Sequence, residues 1–380
     1  MKKNHVLAMA LSALSAGLLI SCAKPADENK TADTDSQKVA QNASTAANKD
    51  ATQTTPITPV TISADSETTY LNHVAKNMVI PAYADAVKQS ALLHQLAQQH
   101  CQTAPVSGIK LQALRDQWLV LAQAWAGAEM INFGPATASM SNLYINYYPD
   151  ERGLIHSGVA ELIAANPTLT PTQLANESAI VQGVPGLEEV LYANDSLNAA
   201  QCAYVISASS ALNSRLQEIE KNWQQNATTL LAIDQADKND NGLNQWFNAP
   251  LAMVENMKTI AIDQPLGLST GNAKGHLPAA TAGQSRAIIT AKLAMLNKTM
   301  TDPVLIAMLG SQNSSTVDAL STALADTTTL LAQMPEDLAD ADQANQQALF
   351  DQLTTITRIL KRQLLPTLGM RVNFNSNDGD

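Results

Sequence analysis

Leu111, Leu114, Trp118, Leu121, Trp125 and Ala128 recur at intervals of three and four residues. The same rhythm returns in Val205, Leu212, Leu216, Ile219 and Trp223, and again in Leu349, Leu353, Ile356, Leu360 and Leu364. On a helix of about 3.6 residues per turn each set draws one apolar stripe, which is stable only when another stripe covers it. No alternating run of useful strand length competes. Aromatic residues make up 4% of the chain, so the core is filled mainly by Leu, Ala and Met, a composition that suits helices packed on helices. Proline and glycine punctuate the pattern at Pro105–Gly108, Gly134-Pro135, Asn166-Pro167, Pro265–Gly267, Asp302-Pro303 and Met334-Pro335.

This spacing predicts long helices near 68–101, 109–131, 197–234, 242–262, 281–300, 315–333 and 339–366, with shorter ones near 151–165, 171–192 and 303–310. They are too many for one four-helix bundle and suit two helical bundles packed side by side. Gln117-Trp118 and Gln245-Trp246 each open an amphipathic stretch that closes in a Pro/Gly turn, an echo that suggests internal duplication. The expected architecture is all-α, with an N-terminal bundle over 67–235 and a C-terminal bundle over 236–380.

The chain opens MKKNHVLAMALSALSAGLLISC. Lys2 and Lys3 precede an apolar run over 6–19, too short for a bilayer span and suited to a secretory signal. Leu19-Ile20-Ser21-Cys22 resembles a bacterial lipobox, in which the cysteine becomes the first mature residue and carries lipid. The alternative is an ordinary cleaved signal with a chance cysteine. Residues 1–21 are therefore read as a lipoprotein signal peptide and Cys22 as the lipidation site. Ala23 resembles lipoproteins passed on to the outer membrane. The expected location is the periplasmic face of the envelope, with the lipid anchor as the membrane contact. Residues 22–66 are polar and read as a disordered tether.

The formal net charge is −11, and becomes more negative when a signal carrying Lys2 and Lys3 is removed. A scattered acidic surface disfavours nucleic acid and anionic lipid. With Cys22 lipidated, Cys101 and Cys202 are the remaining pair, and an oxidising envelope favours a bridge between them over two buried thiols.

Catalytic signatures are sparse. H-E-x-x-H is missing, and no G-x-S-x-G stands at a strand-to-helix turn as a nucleophile elbow does: Gly267-Leu268-Ser269-Thr270-Gly271 follows a helical stretch. His94 and His100 lie on different faces of one predicted helix and read as solvated. Asp237, Asn239, Asn241 and Gly242 match the first half of a calcium loop, but its twelfth position is Asn248 where a bidentate glutamate is needed, so the segment reads as a polar turn.

The stretch GVPGLEEVLY, residues 183–192, resembles the G-x-H-x-x-E motif of the imelysin family, bacterial envelope proteins first described as peptidases and often linked to iron uptake. Gly183 and Glu188 match, and Pro185 stands where that family has histidine. Residues 115–136, Tyr148–Gly153, Pro265–Gly267, Leu368-Gly369 and the ending Asn373–Asp380 also resemble family landmarks, in the family's order. The resemblance implies two related helical bundles with a functional cleft between them, iron or another divalent cation as ligand class, and an envelope protein or an iron-related ligand as partner. It also leaves open a metal-dependent peptidase and a scaffolding lipoprotein.

A histidine three residues before a glutamate shares its helix face, so both can hold one metal. Proline has no lone pair to give; it suits a first helical turn. Two readings stay open for Glu188: a carboxylate stabilised, like Glu189, near a helix N-terminus, or a cleft group meeting a ligand or cation. Glu129 falls near a helix C-terminus, where an anion needs a partner, with Arg115, Arg152 and Arg286 as candidates. The cleft candidates are thus Glu129, Gly183, Pro185, Glu188 and Arg286, with no catalytic residue assigned. Trp118 and Trp125 read as core.

Overall fold

The computed structural model describes residues 57–231 and 242–372. The signal peptide, Cys22, most of the tether, the calcium-like segment before Gly242 and the ending Asn373–Asp380 lie outside the described residues.

Ser63 caps the first helix by accepting the Ser66 amide, so α1 runs Ala64–Val74 and α2 runs Ile80–His100. Folded chain begins before residue 67: the Val60 amide already donates to the Thr367 carbonyl at 2.8 Å. In order follow α3 (Ile109–Ala128), α4 (Ser141–Ile145), α5 (Leu154–Ala165), α6 (Pro171–Leu174), α7 (Gly183–Tyr192) and α8 (Ala199–Leu231). After the gap come α9 (Gly242–Asn256), α10 (Gln264–Leu266), α11 (Ser285–Met300), α12 (Pro303–Leu309), α13 (Ser314–Gln333), α14 (Gln343–Ile359) and α15 (Leu365–Thr367). A two-residue antiparallel pairing joins Val106–Ser107 to Ser196–Leu197. The fold is all-α.

Most expected helices are present, and the exceptions have physical causes. The single helix expected over 171–192 is two: Thr170 and Gln173 form a capping box that starts α6, and positive-φ Gly183 begins α7 afresh. Pro265 does not end its helix. A wide π turn over Met257–Asp263 closes with the Gln264 amide bonding the Thr259 carbonyl, five residues back. Proline lacks an N–H and crowds the carbonyl four residues before it, and a wide turn is one way to relieve this. The same device precedes Pro81 and Pro366, over Ala75–Val79 and Leu360–Leu364. At Pro81 the carbonyl four residues back, that of Asn77, accepts Lys298 Nζ from α11 at 2.9 Å.

α2 lies against both α3 and α8, and α7 lies on α3 and α8. α13 packs on α14 and α11, α9 packs on α14, and α3 meets α11. Trp118, Trp223, Trp246, Tyr70, Tyr83 and Tyr204 are fully buried along these seams. Cys101 and Cys202 form a disulfide joining the end of α2 to the start of α8. His94 is half-buried instead of solvated: its Nδ1 lies 3.1 Å from Ser209 Oγ on α8, and burial pushes its pKa down. Among the described residues, no helix is long and apolar enough to cross a membrane.

Candidate functional site

α7 is clamped at both ends by α3. At its start the Trp118 Nε1–H donates to the Val184 carbonyl at 2.9 Å. At its end Arg115 donates to the carbonyls of Leu191 at 2.7 Å and Asn194 at 2.8 Å, meeting groups that a helix C-terminus leaves unpaired. Close approach fixes the entry: a Cβ on Gly183 would lie 2.2 Å from the Ile145 carbonyl oxygen and 2.6 Å from that of Tyr144. Pro185 sits in the first turn, where its missing N–H costs nothing.

Held this way, α7 points its two adjacent carboxylates apart. Glu189 meets His156 Nδ1 at 2.7 Å. Glu188 is 9% exposed, and one of its oxygens accepts the Ala282 amide at 3.0 Å. That amide belongs to the loop joining α10 to α11. Burial pushes the Glu188 carboxyl up to about 7; the Ala282 and Thr281 amides oppose the shift, and Glu189 adds to it.

Glu129 follows the last turn of α3. Its partner is Lys292 of α11, at 2.5 Å, and Asn146 Nδ2 donates to its other oxygen at 3.0 Å. None of the expected arginines serves. Arg115 holds the end of α7, Arg152 is exposed in the turn before α5, and Arg286 donates to the Met334 carbonyl. Arg286 therefore leaves the site: Ile288 and Lys292, one turn apart on α11, face the cavity and Arg286 does not.

Glu129, Pro185 and Glu188 are brought together around a cavity of about 50 Å³, with Trp118, Trp125 and Lys292 also in its wall. Gly183 stands behind it as backbone support and is not in the lining. Glu129, Lys292 and Tyr148 are shared with an outer cleft of about 400 Å³ that extends to α9. The Glu129–Lys292 pair is thus the partition between a small inner space and a larger open one. The Tyr148 hydroxyl donates to the His276 carbonyl at 2.9 Å, tying the loop before α11 over the inner space.

Trp125 is 2% exposed, and among the described residues its Nε1–H has no acceptor. Trp223 Nε1 is a second such donor, but of the two only Trp125 lines the cavity, where a ligand or water can serve as its acceptor. Trp118 and Trp125 are core, as the spacing implies, and they are also cavity wall. Sequence patterns alone do not nominate His276, Lys292, Asn146 or Tyr148. Only the Tyr148-Pro149-Asp150 turn carries a signal.

The donor set does not fit a catalytic zinc. Glu129 faces an ammonium, Glu188 accepts a backbone N–H, and His276 Nδ1 lies 3.0 Å from the Leu277 carbonyl. Among the described residues no group of three His, Cys, Asp or Glu side chains is placed to hold a metal ion.

The Glu129–Lys292 pair gives a measurable prediction. The Lys292 side chain is 12% exposed and that of Glu129 28%. Lys292→Met is expected to cost roughly 2 kcal/mol, below the range for fully buried pairs because Glu129 keeps some solvent. Adding Glu129→Gln should recover most of that loss. Urea denaturation of both single variants and the double variant measures the coupling; strictly additive losses would show that the pair carries no interaction energy.

Fold and site together define a class: an all-helical protein with a carboxyl-lined cavity held between α3, α7 and α11 and covered by the loop before α11. The imelysin family model, peptidase M75, matches residues 79–360, and the chain belongs to that family. It is similar to the crystal structure of an imelysin-like protein from Psychrobacter arcticum, at 75% identity and a TM-score of 0.81, covering 84% of this chain and 100% of the other. It shares its fold with a structure from Parabacteroides distasonis proposed to be an iron-regulated protein A precursor, at 12% identity and a TM-score of 0.63, covering 80% of this chain and 95% of the other. No curated protein matches significantly.

Proposed function

We propose that this chain is a lipid-anchored binding protein of the cell envelope that serves iron acquisition, and that it acts by holding a ligand and not by hydrolysis. The observation that carries this reading is the cavity itself. It is walled by a buried carboxyl at Glu188 and by Trp125, whose indole N–H lacks an acceptor among the described residues. A ligand group that both donates and accepts satisfies both side chains. Pro185 in place of the family's histidine leaves the inner space with too few metal donors for a bare catalytic ion, so the reading favours an iron-bearing small molecule that fills the outer cleft and sends one polar group past the Glu129–Lys292 pair to Glu188 and Trp125, over an ion coordinated by protein alone. Lys292 and Glu129 are the charged groups such a molecule meets first. The iron link rests on the family resemblance and on the description of the Parabacteroides distasonis protein. The envelope location rests on the signal-like opening and Cys22.

The test uses protein purified from the envelope without chelator. Equilibrium dialysis against ferric citrate, Fe(II) and Zn(II) is expected to show ferric citrate retained by the wild type, and retention lost in the Glu129→Gln/Glu188→Gln double variant. Stoichiometric zinc together with cleavage of an unfolded protein substrate would overturn the proposal in favour of a peptidase. Retention of no iron species would remove the iron role.

A further inference from the structure

A further surface cleft lies away from Glu188. A space of about 610 Å³ lies between α8, α6 and the turn before α4, and it shares no lining residue with the inner cavity or its outer cleft. That volume is typical of small-molecule sites. Arg215 of α8 stands in its wall. Its guanidinium carbon sits 4.4 Å from the centre of the Tyr144 ring, so one face of the planar group is covered. Among the described residues, no carboxylate or carbonyl takes any of its N–H donors. Arg115 and Arg286, by contrast, both spend donors on backbone carbonyls. Arg215 is half-buried and stays charged, although burial pushes its pKa down. A guanidinium stacked on an aromatic ring, with its donor edge unspent in a cleft, is preorganised for a planar anion.

Glu218 lines the same cleft one helical turn further along α8. It makes no ion pair with Arg215; one of its oxygens accepts the Asn222 amide at 3.0 Å. Side chains three apart on a helix have Cβ atoms about 5–6 Å apart. An extended dipeptide separates its ammonium and carboxylate by a similar length, at about 3.3–3.6 Å per residue. The nearby carboxylate disfavours a dianion such as sulfate. Ala138, Ala175, Ala211, Pro135 and Pro171 supply small apolar walls between the charges.

We infer that this cleft is a second binding site that takes a short zwitterionic peptide of dipeptide length with small side chains, its carboxylate on Arg215 and its ammonium toward Glu218. The site is independent of the iron reading and survives if that reading fails.

Calorimetric titration of the folded protein at low salt tests it, with L-alanyl-L-alanine as probe. The dipeptide is expected to bind at millimolar concentration or tighter, and its C-terminal amide about tenfold more weakly. N-acetylation should weaken binding several-fold in the wild type and hardly at all in Glu218→Gln. Arg215→Gln should abolish binding, and Arg215→Lys should restore part of it. Ser214→Trp leaves Arg215 in place, fills the cleft and should also abolish binding. If Arg215→Gln fails to fold, the amide and Ser214→Trp decide the matter. No wild-type binding at millimolar dipeptide, equal affinity for the amide, or sulfate competing as well as the dipeptide would each overturn the assignment.

Discussion

Gly183→Ala is expected to lose about 3 kcal/mol of folding stability or more, enough to unfold a marginal protein. Two terms add. The residue sits at φ +71°, where any side chain is strained, and such strain costs roughly 1–3 kcal/mol. The new methyl would also meet backbone: its Cβ position is 2.2 Å from the Ile145 carbonyl oxygen and 2.6 Å from that of Tyr144. A flexible side chain could swing aside, but two consecutive carbonyls at the end of α4 cannot without moving the strip that delivers Asn146 to Glu129. Forced overpacking of this kind costs a further ~1–3 kcal/mol. Gly153 supplies the control. It has φ +65°, and a methyl added there would meet nothing within 4 Å, so Gly153→Ala should show the conformational term alone. Urea midpoints at constant slope measure both. Equal losses in the two variants would show that the approach of α4 to α7 does not matter.

The second large effect is a pH dependence assigned to Glu188. Its folded pKa lies at about 7 against an ordinary 4.5, so the folded state holds the proton more tightly than the unfolded chain does. Between those values the native state carries a proton that the unfolded state has released, and stability therefore falls as pH rises. The contribution is fully present below about 4.5, is lost on the way to about 7, and is flat above that. At about 1.4 kcal/mol per pKa unit the swing is roughly 3 kcal/mol. Glu188→Gln keeps an oxygen for the Ala282 amide and removes the titration. Relative to the wild type, it should gain about 3 kcal/mol between about pH 4.5 and pH 7.5. Denaturation curves at several pH values for both proteins give the difference, in which unrelated titrations cancel. A flat difference would mean that Glu188 reaches solvent in the folded protein. This prediction concerns the inner cavity, so it also tests whether α7 presents that carboxyl inward.

Much of the helical frame is legible in the sequence because its determinants are local. Apolar residues three and four apart define a buried face wherever the helix goes, which is why α3, α8 and α14 appear close to their expected positions. Ser63 and Asp302 act as caps through bonds to amides two or three residues away. Pro185 is legible as a first-turn residue for the same reason. The pairing of Cys101 with Cys202, present in the structure, is expected from the sequence once Cys22 is read as lipidated and the chain as an envelope protein. Pro265 reads as a stop and is not one, because neighbour rules do not register a π turn that carries a helix into a proline.

From sequence alone, then, this chain is an all-helical protein that resembles the imelysin family, Pro185 is read as standing at that family's histidine position, and Glu129 and Glu188 are carboxylates that need an explanation. Packing alone decided what those carboxylates meet. Lys292 lies 163 residues from Glu129 along the chain, and Ala282 lies 94 residues from Glu188. No short-range pattern selects Lys292 over Arg115 or Arg286. The choice follows from which turn of α11 faces α3, a property of two packed surfaces. Charge partners and burial are set by distances through space, whereas helices are set by distances along the chain.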